Sequence, residues 1–499
     1  MSACNLPEAV KSLCLRGILG NGRKMTRYDF FLAVLLSAGA LALSFPAIAQ
    51  QRDAATPAVT TSPPAPTTAA PEPIDAAPPE PVSCDLIEDA IIPLRPPTFN
   101  GMIEWRKVIG LEGVDRLVEM LPLADGGVIA LGESRVYTRA SGLRAKQLYV
   151  IRLDVSGKPL FDKRIDIKGL VSVAGGIIFK DKIIVLSQVE DDKKKQSTRI
   201  DFLDGAASIK ATYTIDNPAA DVLAGDVVMN ADATSMTIAA MTGDPKLKDT
   251  TYTVLYRMGL DGKILDKREY LPGVSTRIER LQRLSNGFLI GAGRMRVDAQ
   301  REAGWLLLIS KQGDLVIQRP YPRGGQAQLK KIVDDRAGGY YALGEAIPAD
   351  GGYRAAWIMH LNGSGNVIWQ RFLSGKYRYS AADLTLQKDG RLMILMAGRP
   401  GGEGGREHAR IITMSSIGTI LFDEAYIEGS NALPVRLIEH TITKQRLLAG
   451  YAQTGFDDYG VPGDQKLITY DAWLSGLTKL PPYIDPCKPT LQESLDDNQ

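Results

Sequence analysis

The chain has 499 residues, of which 44% are hydrophobic, and its 59 basic and 57 acidic side chains leave a formal net charge of +2. This composition is typical of a globular protein and excludes collagen-like, coiled-coil and wholly disordered chains. The near balance of charge excludes a strongly basic nucleic-acid-binding tail, and the 49 glycines indicate many turns.

Residues 1–49 are predicted to be a signal peptide, with Met25 as a possible true start. A positively charged segment precedes the apolar run 30–45, and Ala47-Ile48-Ala49 then supplies the small residues of a cleavage site before Gln50. The run is shorter than the roughly 20 apolar residues that span a bilayer. We therefore expect a periplasmic or secreted mature chain without a transmembrane span. A retained N-terminal anchor is the alternative.

A linker and an N-terminal extension follow the leader. Residues 50–83 are rich in Pro, Ala and Thr, and such a segment cannot bury enough apolar surface to fold. It is predicted to be a disordered tether, and residues 84–101 are predicted to be an extension that leads to the folded body. A C-terminal tail is predicted over 481–499.

The cysteines predict one disulfide. Cys4 and Cys14 lie in the leader, which leaves Cys84 and Cys487 just outside the two ends of the folded region. An even pair in an exported protein favours a disulfide. Such a bond would bring the chain ends together, as closed circular folds do.

A unit of about 50 residues recurs seven times between 102 and 480. Each unit contains two hairpins, in which short β-rich runs flank glycine-containing turns. The turn glycines of the second hairpins are Gly157, Gly205, Gly262, Gly313, Gly365, Gly418 and Gly476. Four short strands per unit predict an all-β fold, a β-propeller of seven four-stranded blades over 102–480. Two β-sandwiches are the competing architecture, but they would not need a regular period.

An N-terminal strand is predicted to close the propeller ring. The segment 103–109 (IEWRKVI) imitates 367–373 (VIWQRFL), which is the fourth strand of a repeat, yet it precedes the first full unit. We therefore expect this segment to complete the last blade.

The unit that contains GGYYALGEA and AWIMHLNGSGNVIWQRFL resembles the repeats of bacterial secreted β-propeller proteins. Through the Gly-Asn-Val-Ile-Trp end of its hairpin it is also distantly similar to pyrroloquinoline-quinone-type repeats. The resemblance covers most of 102–480 and implies the fold. It implies no cofactor or activity, because the chain has five Trp rather than one in each blade and shows no cofactor-binding pattern.

Basic residues gather in the loops that follow the second and fourth strands, which share one face of a propeller. The candidate binding residues are Arg135, Arg139, Arg144, Arg294, Arg296, Arg301, Lys376, Arg378, Arg399, Arg406 and Arg410. Because Arg grips phosphate and carboxylate groups bidentately, they indicate a docking face for an envelope protein or for an anionic glycan or lipid headgroup. The alternative is a solvated rim in which each Arg pairs with a neighbouring acid, such as Asp298 or Glu407. Nucleic acid is not an expected partner.

No motif supports a catalytic mechanism, so no catalytic residue is assigned and no cofactor is expected. Asp457, Asp458 and Asp464 form a weak Ca²⁺ candidate, but their spacing does not fit an EF-hand and a solvated turn is the favoured interpretation. The leading hypothesis is therefore a non-enzymatic binding or scaffold module. The alternative is a carbohydrate-active or other hydrolytic enzyme with carboxylates near the central channel. A quinone-dependent oxidoreductase ranks last.

Overall fold

The computed structural model describes residues 84–487, apart from short gaps at 112, 139–141, 144, 244–246, 248–249, 272, 348–351, 401–405, 441 and 458–466. The predicted signal peptide and linker lie outside the described residues. In the described part the chain forms thirty β-strands and no helix. A search of the same residues finds no helical segment with the length and hydropathy that crossing a membrane requires.

Seven antiparallel four-stranded blades follow one another along the chain, as predicted. Two strands precede the first repeat, β1 (Asp89–Pro93) and β2 (Ile103–Ile109). Blade 1 contains β3 (Gly113–Pro122), β4 (Val128–Thr138), the two-residue β5 (Gly142–Leu143), β6 (Gln147–Leu153) and β7 (Pro159–Asp166). Blade 2 contains β8 (Leu170–Phe179), β9 (Lys182–Glu190), β10 (Gln196–Leu203) and β11 (Ile209–Ile215). Blade 3 contains β12 (Val222–Met229), β13 (Ser235–Gly243), β14 (Thr251–Gly259) and β15 (Ile264–Tyr270).

The later blades repeat the same order of strands. Blade 4 contains β16 (Thr276–Arg283), β17 (Leu289–Arg296), β18 (Glu302–Ile309) and β19 (Leu315–Tyr321). Blade 5 contains β20 (Gln326–Asp334), β21 (Tyr340–Ile347), β22 (Ala355–Leu361) and β23 (Val367–Ser374). Blade 6 contains β24 (Tyr377–Leu386), β25 (Leu392–Pro400), β26 (His408–Met414) and β27 (Ile420–Tyr426). Blade 7 contains β28 (Asn431–Glu439), β29 (Arg446–Asp457) and β30 (Leu467–Leu477).

The fourth strand of blade 7 is supplied by β2, as the sequence predicts. It pairs antiparallel with β30, where Trp105 lies opposite Gly476 and Ile109 lies opposite Ala472. The prediction of Gly476 as a turn residue is therefore wrong, because this glycine lies within a strand and its partner comes from the N-terminal segment. The first strand of each blade contacts the first strand of the next, and β28 contacts β3.

The core is divided among the blade junctions. Seven clusters of buried apolar side chains each join two neighbouring blades. Trp305, Trp357, Trp369 and Trp473 are among the largest fully buried side chains, and they fill four consecutive junctions from blades 3 and 4 to blades 6 and 7. Packing between blades is thus the main apolar stabilisation of the fold.

The N-terminal extension, residues 84–101, is an ordered strap over the outer edges of blades 5 and 6. Its strand β1 pairs in parallel with β23 and adds a fifth strand to blade 5. Further along, the carbonyl of Arg95 accepts a hydrogen bond from Arg410 (3.0 Å), and the amide of Gly101 donates to the carbonyl of Ala425 (3.2 Å). The strap thereby leads the chain to β2.

The predicted disulfide joins Cys84 to Cys487, whose Cα atoms are 5.4 Å apart. The C-terminal segment that carries Cys487 is held against blade 6, because Ser416 donates a hydrogen bond to Asp485 (2.6 Å) and Arg391 lies over the ring of Tyr483. The bond thus fastens the strap and the C-terminal segment to each other.

We expect Cys84→Ala/Cys487→Ala to lower the free energy of unfolding by up to about 5 kcal/mol, because the bond closes a loop with a sequence separation of 403. Chemical denaturation measures this loss, and limited proteolysis should cut the strap first. Reduced wild-type protein is the control and should behave like the variant. Equal stability of the oxidised and reduced proteins would contradict a role of the bond in holding the strap.

Candidate functional site

One residue from the first strand of each blade lies at a common level of the central channel. These ring residues are Glu119, Gly175, Asp226, Arg280, Lys331, Asp383 and Arg436. Three are cations, three are carboxylates and the seventh is a glycine. We call this set the axial ring.

A β-bulge places every member of the axial ring. In each first strand the pairing register shifts by one residue immediately before the ring position, for example between Leu117 and Glu119 and between Ile278 and Arg280. A bulge of this kind re-aims the side chain that follows it. The second strand contributes glycines at this point: a Cβ at Gly293 would lie 1.9 Å from a carbonyl oxygen of the first strand. The small residues of the second strands thus accommodate the bulge.

Arg280 links three blades at the axial ring. Its Nη1 lies 3.2 Å from Glu119 Oε2 in blade 1 and 3.3 Å from Asp226 Oδ1 in blade 3. The glycine of blade 2 leaves room for this guanidinium, since a Cβ at Gly175 would stand 3.3 Å from Arg280 Nη1. Because Gly175 has no side chain, Arg280 of blade 4 can reach Glu119 of blade 1.

The remaining ring charges are also paired. Arg436 binds Glu119 through Nε and through Nη2 (2.8 Å), and Lys331 Nζ lies 3.3 Å from Asp383 Oδ1. Backbone amides of the following blade complete the set: Leu281 donates to Asp226 (2.8 Å) and Leu437 donates to Asp383 (3.0 Å). Every ring carboxylate thus has at least one cation and one amide as partners, since Met120 donates to Glu119.

Burial governs the titration of these groups. It raises the pKa of Glu119, Asp226 and Asp383 above their ordinary values, and the nearby cations oppose the rise. For Arg280, burial acts to lower the pKa, but Glu119 and Asp226 outweigh it and hold the pKa above its usual value. The pairing keeps these charges compensated inside the channel.

The axial ring separates two chambers of the channel. The lower chamber, on the side of the turns that follow the first strands, has a volume of about 850 Å³, and the upper chamber has about 440 Å³. Arg280 and Arg436 line both chambers. The lower wall adds Arg283, Asp334 and apolar residues such as Ile178. Carboxylates with raised pKa therefore do face a cavity, but each is already bound to a cation.

The upper face carries the loops after the second and fourth strands, and there the predicted basic residues differ in their surroundings. Arg294 pairs with Glu302 (3.0 Å), and Arg301 pairs with Asp298 (2.6 Å). These pairs match the solvated-rim alternative for blade 4. Arg135 lies within β4 opposite Val114, and Arg296, Lys376 and Arg406 are exposed.

Three arginines meet in a groove between blades 5 and 6. Arg354, Arg378 and Arg399 line a cavity of about 360 Å³, together with Tyr353 and Glu407. The cavity shares Ser380 and Ala397 with the upper chamber of the channel, so the two are continuous. We call this continuous surface the basic groove.

Two arginines of the basic groove lie directly opposite each other. Arg378 of β24 pairs in register with Arg399 of β25. Arg399 lies 3.6 Å from Glu407 and its side chain is 63% exposed, whereas Arg378 lies over the ring of Tyr353 and forms no ion pair within the described residues. Like charges directly opposite across two strands destabilise a sheet. An anion between them would remove that cost.

Arg410 does not belong to the basic face. It lies within β26, is 1% exposed, and binds Asp423 (2.5 Å) and the Tyr379 hydroxyl (2.6 Å) besides Arg95 of the strap. The sequence placed it in a loop because the basic run from Arg406 continues into the strand. Its role in this structure is to anchor the strap.

Other candidates fall outside the described part of the chain. Arg139 and Arg144 lie there, as do Asp458, Asp464 and the side chain of Asp457, so the Ca²⁺ candidate stays a sequence prediction. Among described residues no group of three His, Cys, Asp or Glu side chains could hold a metal ion.

The axial ring was not among the residues predicted from the sequence. Its signal in the sequence is a charged residue near the middle of six of the seven first strands, recurring at the repeat period from Glu119 to Arg436. Aligning the repeats on the strands rather than on the turns would have exposed it. The pairing partners, however, depend on the bulges and on which blades face one another.

No family model and no curated protein matches the chain. Among solved structures, the periplasmic gluconolactonase of Pseudomonas aeruginosa is similar at 13% identity over 70% of this chain and 100% of that chain, with a TM-score of 0.45. The β-propeller domain of the trilobed protease from Pyrococcus furiosus is similar at 10% identity over 74% and 100%, with a TM-score of 0.41. A europium-containing methanol dehydrogenase is similar at 11% identity over 75% of this chain and 93% of that chain, with a TM-score of 0.39. Likenesses at this level assign neither a family nor an activity to this chain.

We expect Arg280→Met to lower the free energy of unfolding by about 3–5 kcal/mol, because it leaves Asp226 without a cation and Glu119 with one. The loss should shrink as the pH falls, since carboxylates with a raised pKa protonate and no longer need the cation. Denaturant titrations at pH 5 and pH 8 measure both effects.

Arg283→Met is the matched control in the same strand. Arg283 donates to the Asn230 carbonyl (3.0 Å) and lies outside the axial ring, so its replacement should change stability by less than about 1 kcal/mol. If the two variants were equally stable, the axial ring would not hold the blades together.

Proposed function

We propose that this protein is an exported, non-enzymatic β-propeller that binds an anionic partner in the basic groove. The observation that carries the proposal is the cross-strand pair of Arg378 and Arg399 beside Arg354, in a cavity that continues into the channel. Arg354 pairs with Glu345 (2.8 Å) and Arg399 lies 3.6 Å from Glu407, so Arg378 is the groove arginine without an acidic partner among the described residues. A surface in which cations outnumber their acidic partners is suited to an anionic ligand.

The surroundings of the groove support the same ligand chemistry. Lys330 and Arg277 line the upper chamber, with Glu279 as an acidic neighbour of Arg277 (3.0 Å). Lys330 is half-buried and forms no ion pair in the part of the chain that the structure describes. An elongated partner with several carboxylate, sulfate or phosphate groups could therefore contact the rim and the channel mouth together.

Export is supported by the Cys84–Cys487 disulfide, because such bonds persist in oxidising compartments. The predicted signal peptide agrees with it. We accordingly place the protein in the periplasm or outside the cell, where an envelope protein, an anionic glycan or a lipid headgroup would supply the anionic groups.

The second candidate is a hydrolase that uses channel carboxylates. The raised pKa of Glu119, Asp226 and Asp383 favours it, because a general acid must hold its proton near neutral pH. A scaffold role ranks first, since each carboxylate already binds a cation and a backbone amide. Release of reducing sugar from an anionic glycan, abolished by Glu119→Gln, would reverse this order.

We expect Arg378→Glu to weaken binding of anionic probes at least about tenfold at low salt, because it replaces a groove cation with an anion. The probes are a labelled Asp/Glu peptide, polygalacturonate and phosphatidylglycerol vesicles. Wild-type binding should fall as salt rises. Without a ligand, the variant should be about 0.2–1 kcal/mol more stable than wild type, because a cross-strand Arg–Glu pair replaces two like charges.

Arg296→Glu is the matched control, with the same change of charge on an exposed residue of the same face outside the groove. It should alter probe affinity less than about threefold. Equal weakening by both variants would mean that the general charge of the face, and not the groove, attracts the probes. Absence of salt-dependent binding to every probe would overturn the proposal.

A further inference from the structure

The fourth strand of each blade contains a bulge near its beginning. The residue that follows this bulge pairs with the third strand at an equivalent position in every blade. These junction residues are Trp105, Phe161, Ala211, Asp266, Ile317, Trp369 and Phe422. Five of the seven are large and apolar. Side chains at or beside this position pack on the turn between the third and fourth strands of the next blade: a Cβ at Gly157 would overlap the ring of Trp105, and one at Gly418 would touch Trp369.

Blade 2 lacks a large junction residue but fills the space in another way. Ala211 lies opposite Phe202, whose ring meets Tyr213 edge to face with centroids 5.6 Å apart. A Cβ at Gly262, in the next blade, would overlap the Tyr213 ring. The junction between blades 2 and 3 is therefore closed by two aromatic side chains.

Blade 3 has no aromatic substitute, although its Arg268 contacts the turn of the next blade at Gly313. Asp266 is its junction residue, Arg257 lies opposite it, and Arg268 replaces the aromatic side chain that blade 2 has two residues further along. The junction between blades 3 and 4 consequently contains a cavity of about 260 Å³. Its apolar wall consists of Leu255, Tyr270, Leu289 and Ile309. We call this cavity the junction pocket.

Four of the five charged groups of the junction pocket form two ion pairs, and Lys311 is the fifth. Asp266 binds Arg268 (2.8 Å), and Asp232 binds Arg257 (2.6 Å). The pocket therefore combines an apolar wall with two ion pairs and one further cation, and an aromatic ring suits such a lining because its face can meet the wall or the cation.

Blade 5 shows how such a junction accommodates an aromatic ring. There the indole N–H of Trp369 donates to the carbonyl of Ser416 (3.1 Å), in the turn of the next blade. The equivalent turn residue in blade 4 is Lys311, since Ser310-Lys311 aligns with Ser415-Ser416 before the turn glycine. Lys311 lines the pocket, and within the described residues no donor reaches its carbonyl, whereas the next two carbonyls accept from Arg268.

We propose that the junction pocket binds an indole-sized aromatic ring that carries one hydrogen-bond donor. The ring would lie against the apolar wall, and its N–H would donate to the Lys311 carbonyl, as Trp369 does at Ser416. The ring can belong to a small aromatic metabolite or to a Trp side chain of a partner. This site lies at the lower rim and is independent of the basic groove.

Indole is the first probe, measured by calorimetry and by ligand-observed NMR. We expect saturable binding with a Kd on the order of 0.1–1 mM, as is reasonable for a ligand of this size. 1-Methylindole, which lacks the donor, should bind at least about fivefold more weakly. N-acetyltryptophanamide separates the two sources: equal or tighter binding indicates a Trp side chain, and its exclusion indicates a free small molecule.

Asp266→Trp and Asp266→Ile place in blade 3 the residues that blades 5 and 4 carry at the same position. Both should abolish indole binding and raise the thermal midpoint, because they fill the cavity. Asp266→Asn is the matched control and should retain binding within about threefold. Unsaturable indole binding to the wild type, or indole binding to Asp266→Trp at wild-type affinity, would overturn the proposal.

Discussion

The axial ring is the constraint on which the rest of the propeller depends. Burying a charge away from water costs several kcal/mol unless it is paired and hydrogen-bonded. The three cations and three carboxylates of the axial ring are therefore tolerated only when each has its partner in place. Glu119 of blade 1 needs Arg436 of blade 7 and Arg280 of blade 4, and Asp383 of blade 6 needs Lys331 of blade 5. The pairing therefore couples blades that are distant in sequence. A bulge in each first strand aims the ring side chain, and Gly175 leaves room for Arg280.

Apolar packing holds neighbouring blades together away from the axis, as ion pairing does at the axis. Both candidate sites occur where one repeat differs from the others. In the basic groove, Arg378 lies opposite Arg399, whereas the equivalent strand positions pair Gln326 with Ile347 in blade 5 and Asn431 with Gln453 in blade 7. In the junction pocket, Asp266 stands where five other blades have a large apolar side chain. A repeat fold makes such departures easy to recognise, because the remaining blades serve as internal references.

The architecture could be predicted from the sequence because turns and strands are local features. The strand 103–109 was recognised by its likeness to 367–373, and the cysteine pair by its position. The pairing within the axial ring could not be predicted, because a bulge shifts the side-chain alternation by one residue, and the reach of Arg280 to Glu119 depends on a glycine in a third blade. Arg410 was misplaced because a basic residue in a strand looks like a loop residue until Asp423 is seen beside it.

The disulfide has a mechanical consequence. The tether predicted before Cys84 and the part of the predicted tail 481–499 that follows Cys487 enter the folded body at one covalent point. A force applied between these two segments would pass through that bond alone and would load neither the strap nor the blades. A propeller held in this way keeps its blades undistorted under tension.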